Sequence, residues 1–300
     1  MRKFINQLSA LALFSSIISG SIGCDRPTGG ETSSSVESQI EPDETAEASL
    51  ILTSAIEGAH RTDEERARDK WRHPKETINF FEILPNMTVL EIWPGGGWYT
   101  NILAPYLAAG DGMLIAAHFD PTLSPDAERA VAAFKSEFVN RNSLYGPLKI
   151  TTFSPPKLDL PANSTDAVLT FRNAHNWFGT GQQSEPFKEF YRVLRPGGIL
   201  GVVDHRADAS AADGISHNGY VTEASIISLG IAAGFAFEEK SEINANKADT
   251  KNHPFGVWTL LPVRRSAKAP GMREPNFPRE RFDAIGESDR MTIRFRKPAK

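Results

Sequence analysis

The sequence predicts an α/β domain built on a mainly parallel sheet with helices on both faces. Three observations carry that expectation. Short apolar runs alternate with longer stretches of helical period. Glycine and proline turns bound most of the runs. Of the 300 residues, 40% are hydrophobic and 23% charged, enough apolar material for one large core. The same figures exclude a wholly disordered chain and a multi-span membrane protein. A net charge of −4 gives no general pull toward nucleic acid, and none is expected as a partner. A single cysteine excludes an internal disulfide and any Cys-based zinc or iron–sulfur centre.

The elements follow in order. Leu50 to about Asp69 has helical spacing, and residues 75–82 form a short amphipathic helix after Pro74. Thr88–Ile92 is an apolar run of the kind found in buried parallel strands, and it leads into Pro94-Gly95-Gly96-Gly97. Residues 98–108 resume a helical period, with Pro105 kinking or shortening it. Met113–Ala117 is a second strand, 125–143 a helix, 148–153 a third strand and Ala167–Phe171 a fourth. A helix over 184–194 ends at Arg195-Pro196-Gly197-Gly198, and a fifth strand, Ile199–Val203, follows at once. Residues 222–233 form a helix closed by Gly234. Two last strands, about Phe235–Ile243 and Gly256–Pro262, can pair as an antiparallel hairpin.

The N-terminal region reads as an address and a tether. Arg2 and Lys3 precede an apolar run from Leu8 to Ile22 that is too short and serine-rich for a membrane span. Ser21-Ile22-Gly23-Cys24 is similar to a bacterial lipoprotein signal, although Ser21 stands where leucine is usual. That resemblance implies a signal over residues 1–24, lipid attachment at Cys24 and a place in the cell envelope, anchored to a membrane and facing the periplasm. Asp25 resembles the residue that in some bacteria keeps lipoproteins on the inner membrane. A plain secretory signal, or a buried free cysteine, is the alternative. Residues 25–48 carry seven acids against one base and almost no large apolar side chain, which predicts a disordered acidic linker. The folded domain is then expected over 49–263, with 264–300 as a C-terminal arm docking on it. Asp289 and Arg290 in that arm are expected to form surface ion pairs.

A strand, a glycine-rich turn and a helix start let a backbone approach a ligand and offer it free N–H groups. No Gly-Lys-Ser/Thr follows the glycines, so this is not a nucleoside-triphosphate loop. Glu91, Gly95 and Gly97 stand where the class I S-adenosylmethionine-dependent methyltransferases place the acid and glycines of their first strand and turn. Phe190-Tyr191-Arg192-Val193-Leu194-Arg195-Pro196-Gly197-Gly198 looks like that family's turn before strand five. The segments EIWPGGGWYT, FRNAHNW and VVDHRA resemble a bacterial group of predicted methyltransferases. The resemblance spans roughly residues 75–262. It implies a Rossmann-like, seven-stranded, mainly parallel sheet with an antiparallel last strand, and S-adenosylmethionine as cofactor. Glu91, Trp93, Gly95, Gly96, Gly97, Tyr99, His118, Asp120 and Ser154 would bind it. Three positions depart from the family pattern. Trp93 replaces the first glycine, His118 stands where an acid takes the ribose hydroxyls, and Ser154-Pro155-Pro156 fills the stretch that meets the adenine amine. Asp120, two residues on, can replace the ribose acid.

Ligands of open parallel sheets bind beyond the carboxyl ends of the strands. Strand four delivers Arg172, Asn173, His175, Asn176 and Trp177 there, strand five Asp204, His205 and Arg206, and strand two His118 and Asp120. For general-base methyl transfer to a small-molecule acceptor, His175 or His205 removes a proton and Asp204 orients a histidine. Asn176 joins this catalytic set, and Arg172 or Arg206 holds an anionic acceptor. Trp93, Trp98, Tyr99 and Trp177 can face the sulfonium. A metal is not expected; the weaker alternative uses His118, His175 and His205 as ligands. Asp213–Tyr220, with His217 and Tyr220, reads as a loop over the same rim. The exported address conflicts with a cofactor made in the cytosol. A second class of function is therefore open: an envelope-anchored protein that keeps the pocket for ligand binding or metal-assisted work without the cofactor.

Overall fold

The computed structural model describes residues 42–178, 181–211, 218–269 and 271–299. The expectations for Cys24, for most of the linker and for His217 lie outside the described residues.

Eight strands form one sheet: β1 (Thr88–Ile92), β2 (Met113–His118), β3 (Lys149–Ser154), β4 (Lys157–Leu158), β5 (Thr165–Phe171), β6 (Leu194–His205), β7 (Ala236–Ser241) and β8 (Arg290–Arg296). Their order is β4-β3-β2-β1-β5-β6-β8-β7. Strands β3, β2, β1, β5 and β6 are parallel, while β4 runs against β3 and β8 runs against both β6 and β7. The α/β Rossmann-like expectation holds, with eight strands where seven were expected because the two-residue β4 is added. From β1 the sheet grows one way through β2 and the other way through β5. The carboxyl ends of β1 and β5 therefore flank a topological switch point, where such sheets open a crevice.

Side chains alternate between the faces of each strand. Val89 packs with Ile78, Phe81, Ile102, Leu103 and Tyr106 on one face. Leu90 and Ile92 pack with Phe187, Phe190 and Ile226 on the other. Phe187 and Phe190 are fully buried, each contributing about 2 kcal/mol through its apolar surface. The first face is covered by α1 (Pro42–Glu57), α4 (Pro74–Phe80) and α5 (Thr100–Ala108), the second by α8 (Glu185–Val193) and α9 (Glu223–Ala232).

Four expectations about elements are corrected. The helix expected from Leu50 to Asp69 is broken: α1 ends at Glu57, followed by one-turn helices α2 (Asp63–Arg66) and α3 (Asp69–Arg72). Thr62 and Glu65 form a reciprocal capping box that starts α2. Because α1 begins at Pro42, residues 42–48, expected to be linker, are helical. The helix expected over 125–143 is α6 (Pro125–Phe134), then a π turn over Lys135–Val139 and α7 (Asn142–Tyr145). The second strand of the expected terminal hairpin is a single 3-10 turn at Gly256–Thr259. The partner of β7 is β8, from the segment expected to be a docking arm. Met291, Ile293 and Phe295 of β8 enter the core, and Arg290, Thr292 and Arg294 face the N-terminal helices. Asp289 and Arg290 are buried rather than on the surface, at 5% and 2% exposure.

Candidate functional site

The turn after β1 opens a cavity of about 450 Å³. Its lining includes Glu91, Ile92, Trp93, Pro94, Gly95, Gly96, Trp98 and Tyr99 from the turn, and Phe171, Arg172 and Asn173 from the end of β5. Glu65, Arg68 and Arg72 of the N-terminal helices and Pro262 close it. Gly95, at φ +61°, and Gly96 face open space, with no atom within 4 Å of where a Cβ would stand. Gly97 serves packing instead: at φ +81° a Cβ there would stand 2.3 Å from the Phe138 ring.

Glu91 is buried at the strand end and accepts a 2.6 Å bond from Thr100 Oγ1. Burial raises its carboxyl to about 7 against the lowering effect of that bond. Asn173 Nδ2 donates to the Ile92 carbonyl at 2.8 Å, tying the end of β5 to the end of β1. Tyr99 stacks on Phe171 with centroids 3.6 Å apart, and burial pushes its hydroxyl up to about 12.

Trp93 adopts φ 44°, a left-handed conformation that suits the glycine expected there and strains an indole-bearing residue. Its ring lies among Phe119, Phe153 and Trp177, with centroids at 5.2, 5.6 and 5.9 Å. Its Nε1 donates to the Phe153 carbonyl at 3.0 Å, at the end of β3. The residues expected to meet ribose and adenine do not line the cavity. Asp120 instead caps the turn at Pro121–Leu123, accepting from Thr122 N–H and Oγ1, which lowers its carboxyl. His118 is buried beside the Gly95 backbone with Nε2 lacking a partner, and burial lowers its pKa. Ser154 ends β3 and pairs with Lys157.

At the carboxyl end of β6, Asp204 is wholly buried and acts as an organiser. Its Oδ2 accepts from His175 N–H at 2.8 Å, and its Oδ1 from His205 N–H at 2.7 Å and His175 Nδ1 at 2.8 Å. Because a carboxylate only accepts, His175 carries a proton on Nδ1, which in the neutral ring leaves the lone pair on Nε2. His205 Nε2 receives Arg172 Nε at 3.4 Å, so its Nδ1 proton goes to Ser288 Oγ at 2.5 Å. Burial, then the charges of Arg172 and its neighbours, hold His205 well below the usual histidine pKa. His205 thus stays neutral and positions Arg172. Burial and the nearby Arg72 pull Arg172 down to about 9, still cationic at neutral pH.

The structure brings together most of the predicted rim and separates the rest. His175, Asp204 and His205 cluster within 4.8 Å, whereas His118 does not join them. Every Asp204 oxygen in that cluster already accepts hydrogen bonds. Asn176 is exposed. Arg206 is committed to Asp289, Glu223 and Glu242 and does not line the cavity. Tyr220 is buried and donates to Asp249 rather than reaching over the rim. Arg68, Arg72 and the buried Glu287 behind them were not singled out by the sequence reading, whereas Asn173 stands at the rim as expected. The capping box before Arg66 was the one available signal, since it shortens the helix and turns the next residues inward.

Residues 90–202 match the family model described as a methyltransferase domain. Among solved structures, the 4+2 cyclase SpnF aligns at 15% identity and TM-score 0.50, over 86% of this chain and 96% of that one. An S-adenosylmethionine-dependent methyltransferase from Aquifex aeolicus aligns at 18% and 0.48, over 65% and 93%. An arsenic(III) S-adenosylmethionine methyltransferase from Chlamydomonas reinhardtii aligns at 14% and 0.47, over 83% and 73%. No curated protein sequence matches the chain. The likeness to SpnF agrees with the Rossmann-like fold of the sheet, and the family match gives residues 90–202 a methyltransferase domain. S-adenosylmethionine is the cofactor such a domain uses.

The residues fit that cofactor at one end. Gly95 and Gly96 leave room for the amino-acid portion, with Glu91 to accept from its ammonium and an arginine to pair with its carboxylate. The Trp93 indole packs against Phe119 and Phe153 at the end of β3, beside the stretch that the resemblance assigns to the adenine.

Proposed function

We propose that the protein transfers a methyl group from S-adenosylmethionine to a small acceptor, with His175 as general base. The observation that carries this is the open glycine turn beside Glu91 within the matched domain. Asp204 holds the His175 tautomer that leaves Nε2 able to take a proton. His175 does not line the glycine-turn cavity. Its ring stands 6.2 Å from Trp258, which borders a second cavity of about 880 Å³. Pro262 borders both cavities, so donor and acceptor would meet across it. Titration calorimetry of the full chain with S-adenosylmethionine and S-adenosylhomocysteine tests the reading. Micromolar binding is expected; no heat up to millimolar ligand would sink it.

One observation favours a second reading, in which the fold binds a ligand without this cofactor. The Trp93 indole, bonded to the Phe153 carbonyl, stands where the adenine ring is expected. The export-type N-terminus agrees with that reading, because it separates the protein from a cytosolic cofactor.

A further inference from the structure

The cavity beside the glycine turn carries more positive charge than its own carboxylates neutralise. Arg68, Arg72 and Arg172 line it, and Arg290 lies buried behind them. Glu287 is their shared counter-ion: Arg68 Nε donates to it at 2.7 Å, Arg72 Nε at 2.9 Å, and Arg290 Nη1 lies at 3.0 Å. Burial raises the Glu287 carboxyl, but Arg290, Arg72, Arg172 and Arg68 outweigh it and hold it near about 2. Glu65 is the other carboxylate within reach, and its oxygens already accept from Thr62 N–H and Asn101 Nδ2. Arg61 is matched by Asp69. Four guanidinium groups therefore share two carboxylates, and the third carboxyl at the cavity, the buried Glu91, is raised to about 7 and only partly ionised at neutral pH.

Two of their donors are left over. Arg72 Nη2 and Arg290 Nε are buried without a hydrogen-bond partner, in residues 4% and 2% exposed. A buried, unpaired donor on a cation is costly, and a cluster of like charges adds to that cost. Arg172 adds a third strain, being a non-glycine residue at φ 64°. Planar guanidinium groups converging on a cavity match the oxygens of an oxyanion in a way that point charges do not.

We propose that this cavity is a binding site for a small oxyanion of charge near two, a phosphate monoester or a dicarboxylate, held by Arg68, Arg72 and Arg172. The proposal goes beyond methyl transfer: it defines the charge class the cavity takes apart from the cofactor's own carboxylate. The excess charge is larger than the single carboxylate of a zwitterionic amino-acid end requires.

The test is calorimetric titration of the full chain at constant ionic strength with inorganic phosphate, malonate and acetate. The expected result is saturable binding of at least one dianion, at least tenfold tighter than acetate. Arg172→Gln should weaken it at least tenfold, and Arg68→Gln provides the same readout should the first variant not fold. Arg129→Gln, in an exposed pair with Asp126, should leave it unchanged. Preference for phosphate over malonate, or the reverse, identifies which of the two chemistries the site takes. Equal affinity for acetate, or an unchanged affinity in both cavity variants, overturns the proposal. Displacement of the dianion by S-adenosylhomocysteine also overturns it, by assigning the arginines to the cofactor carboxylate. Dianion binding without S-adenosylhomocysteine binding would support the site and sink only the methyl-transfer reading.

Discussion

Glu91→Gln isolates the energetic burden of keeping a carboxyl at the end of β1. The carboxyl is 2% exposed, and burial raises it from 4.5 to about 7. The folded state therefore binds a proton more tightly than the unfolded chain, so folding loses stability as pH rises. The loss starts at the unfolded value of 4.5 and is nearly complete at 7. A difference of about 2.5 pKa units corresponds to about 3 kcal/mol. Glutamine keeps an oxygen to accept from Thr100 Oγ1 and cannot ionise. The variant should match the wild type at pH 4 and exceed it by about 3 kcal/mol at pH 8. Urea unfolding at pH 4, 6 and 8 measures this, and subtracting the two curves cancels independently titrating groups. A difference that stays constant across the series would refute the reasoning, as would a glutamine variant less stable at pH 8. A residue that weakens the fold at neutral pH belongs where a ligand needs it.

Trp93→Gly relieves a left-handed backbone, worth about 1 kcal/mol, and removes packing worth about 3 kcal/mol. The variant should lose net stability yet bind S-adenosylhomocysteine at least tenfold more tightly in calorimetry; equal affinities would mean the indole does not obstruct the adenosine end. For the histidines, imidazole 15N NMR at pH 7.5 should show protonated Nδ1 on both His175 and His205. Asp204→Asn should shift the tautomer population of His175 toward Nε2–H, and an unchanged spectrum would remove Asp204 as its orienter.

The parallel strands and the glycine turn were legible because their signals are local: an apolar run of buried-strand length ending in glycines. So was the convergence of Arg172, Asp204 and His205, which follows from strand polarity alone. The position of β8 was not legible. Residues 290–296 alternate apolar side chains with arginines and one threonine, which suits an exposed edge as well as a central strand with arginines buried against helices. Arg68 and Arg72 were hidden for a similar reason. On a sequence they continue the charged half of a helix, and only the break at Gly58–Thr62 turns them inward. Trp93 was recognised as a departure, but where its indole goes depends on Phe119, just after β2, and Phe153 of β3.

The placement of β8 between β6 and β7 sets an order of assembly. During synthesis β7 emerges about fifty residues before β8, the strand it pairs with, so the end of the sheet beyond β6 waits for later residues. Glu287, just ahead of β8, is joined to Arg72 across 215 residues of sequence. Until that segment is made and has paired, Arg68 and Arg72 lack their shared carboxylate and the cavity lacks a wall. Binding competence is therefore acquired only once Glu287 and β8 have been made, and a nascent chain that stops short of Glu287 carries the glycine turn without a complete site around it.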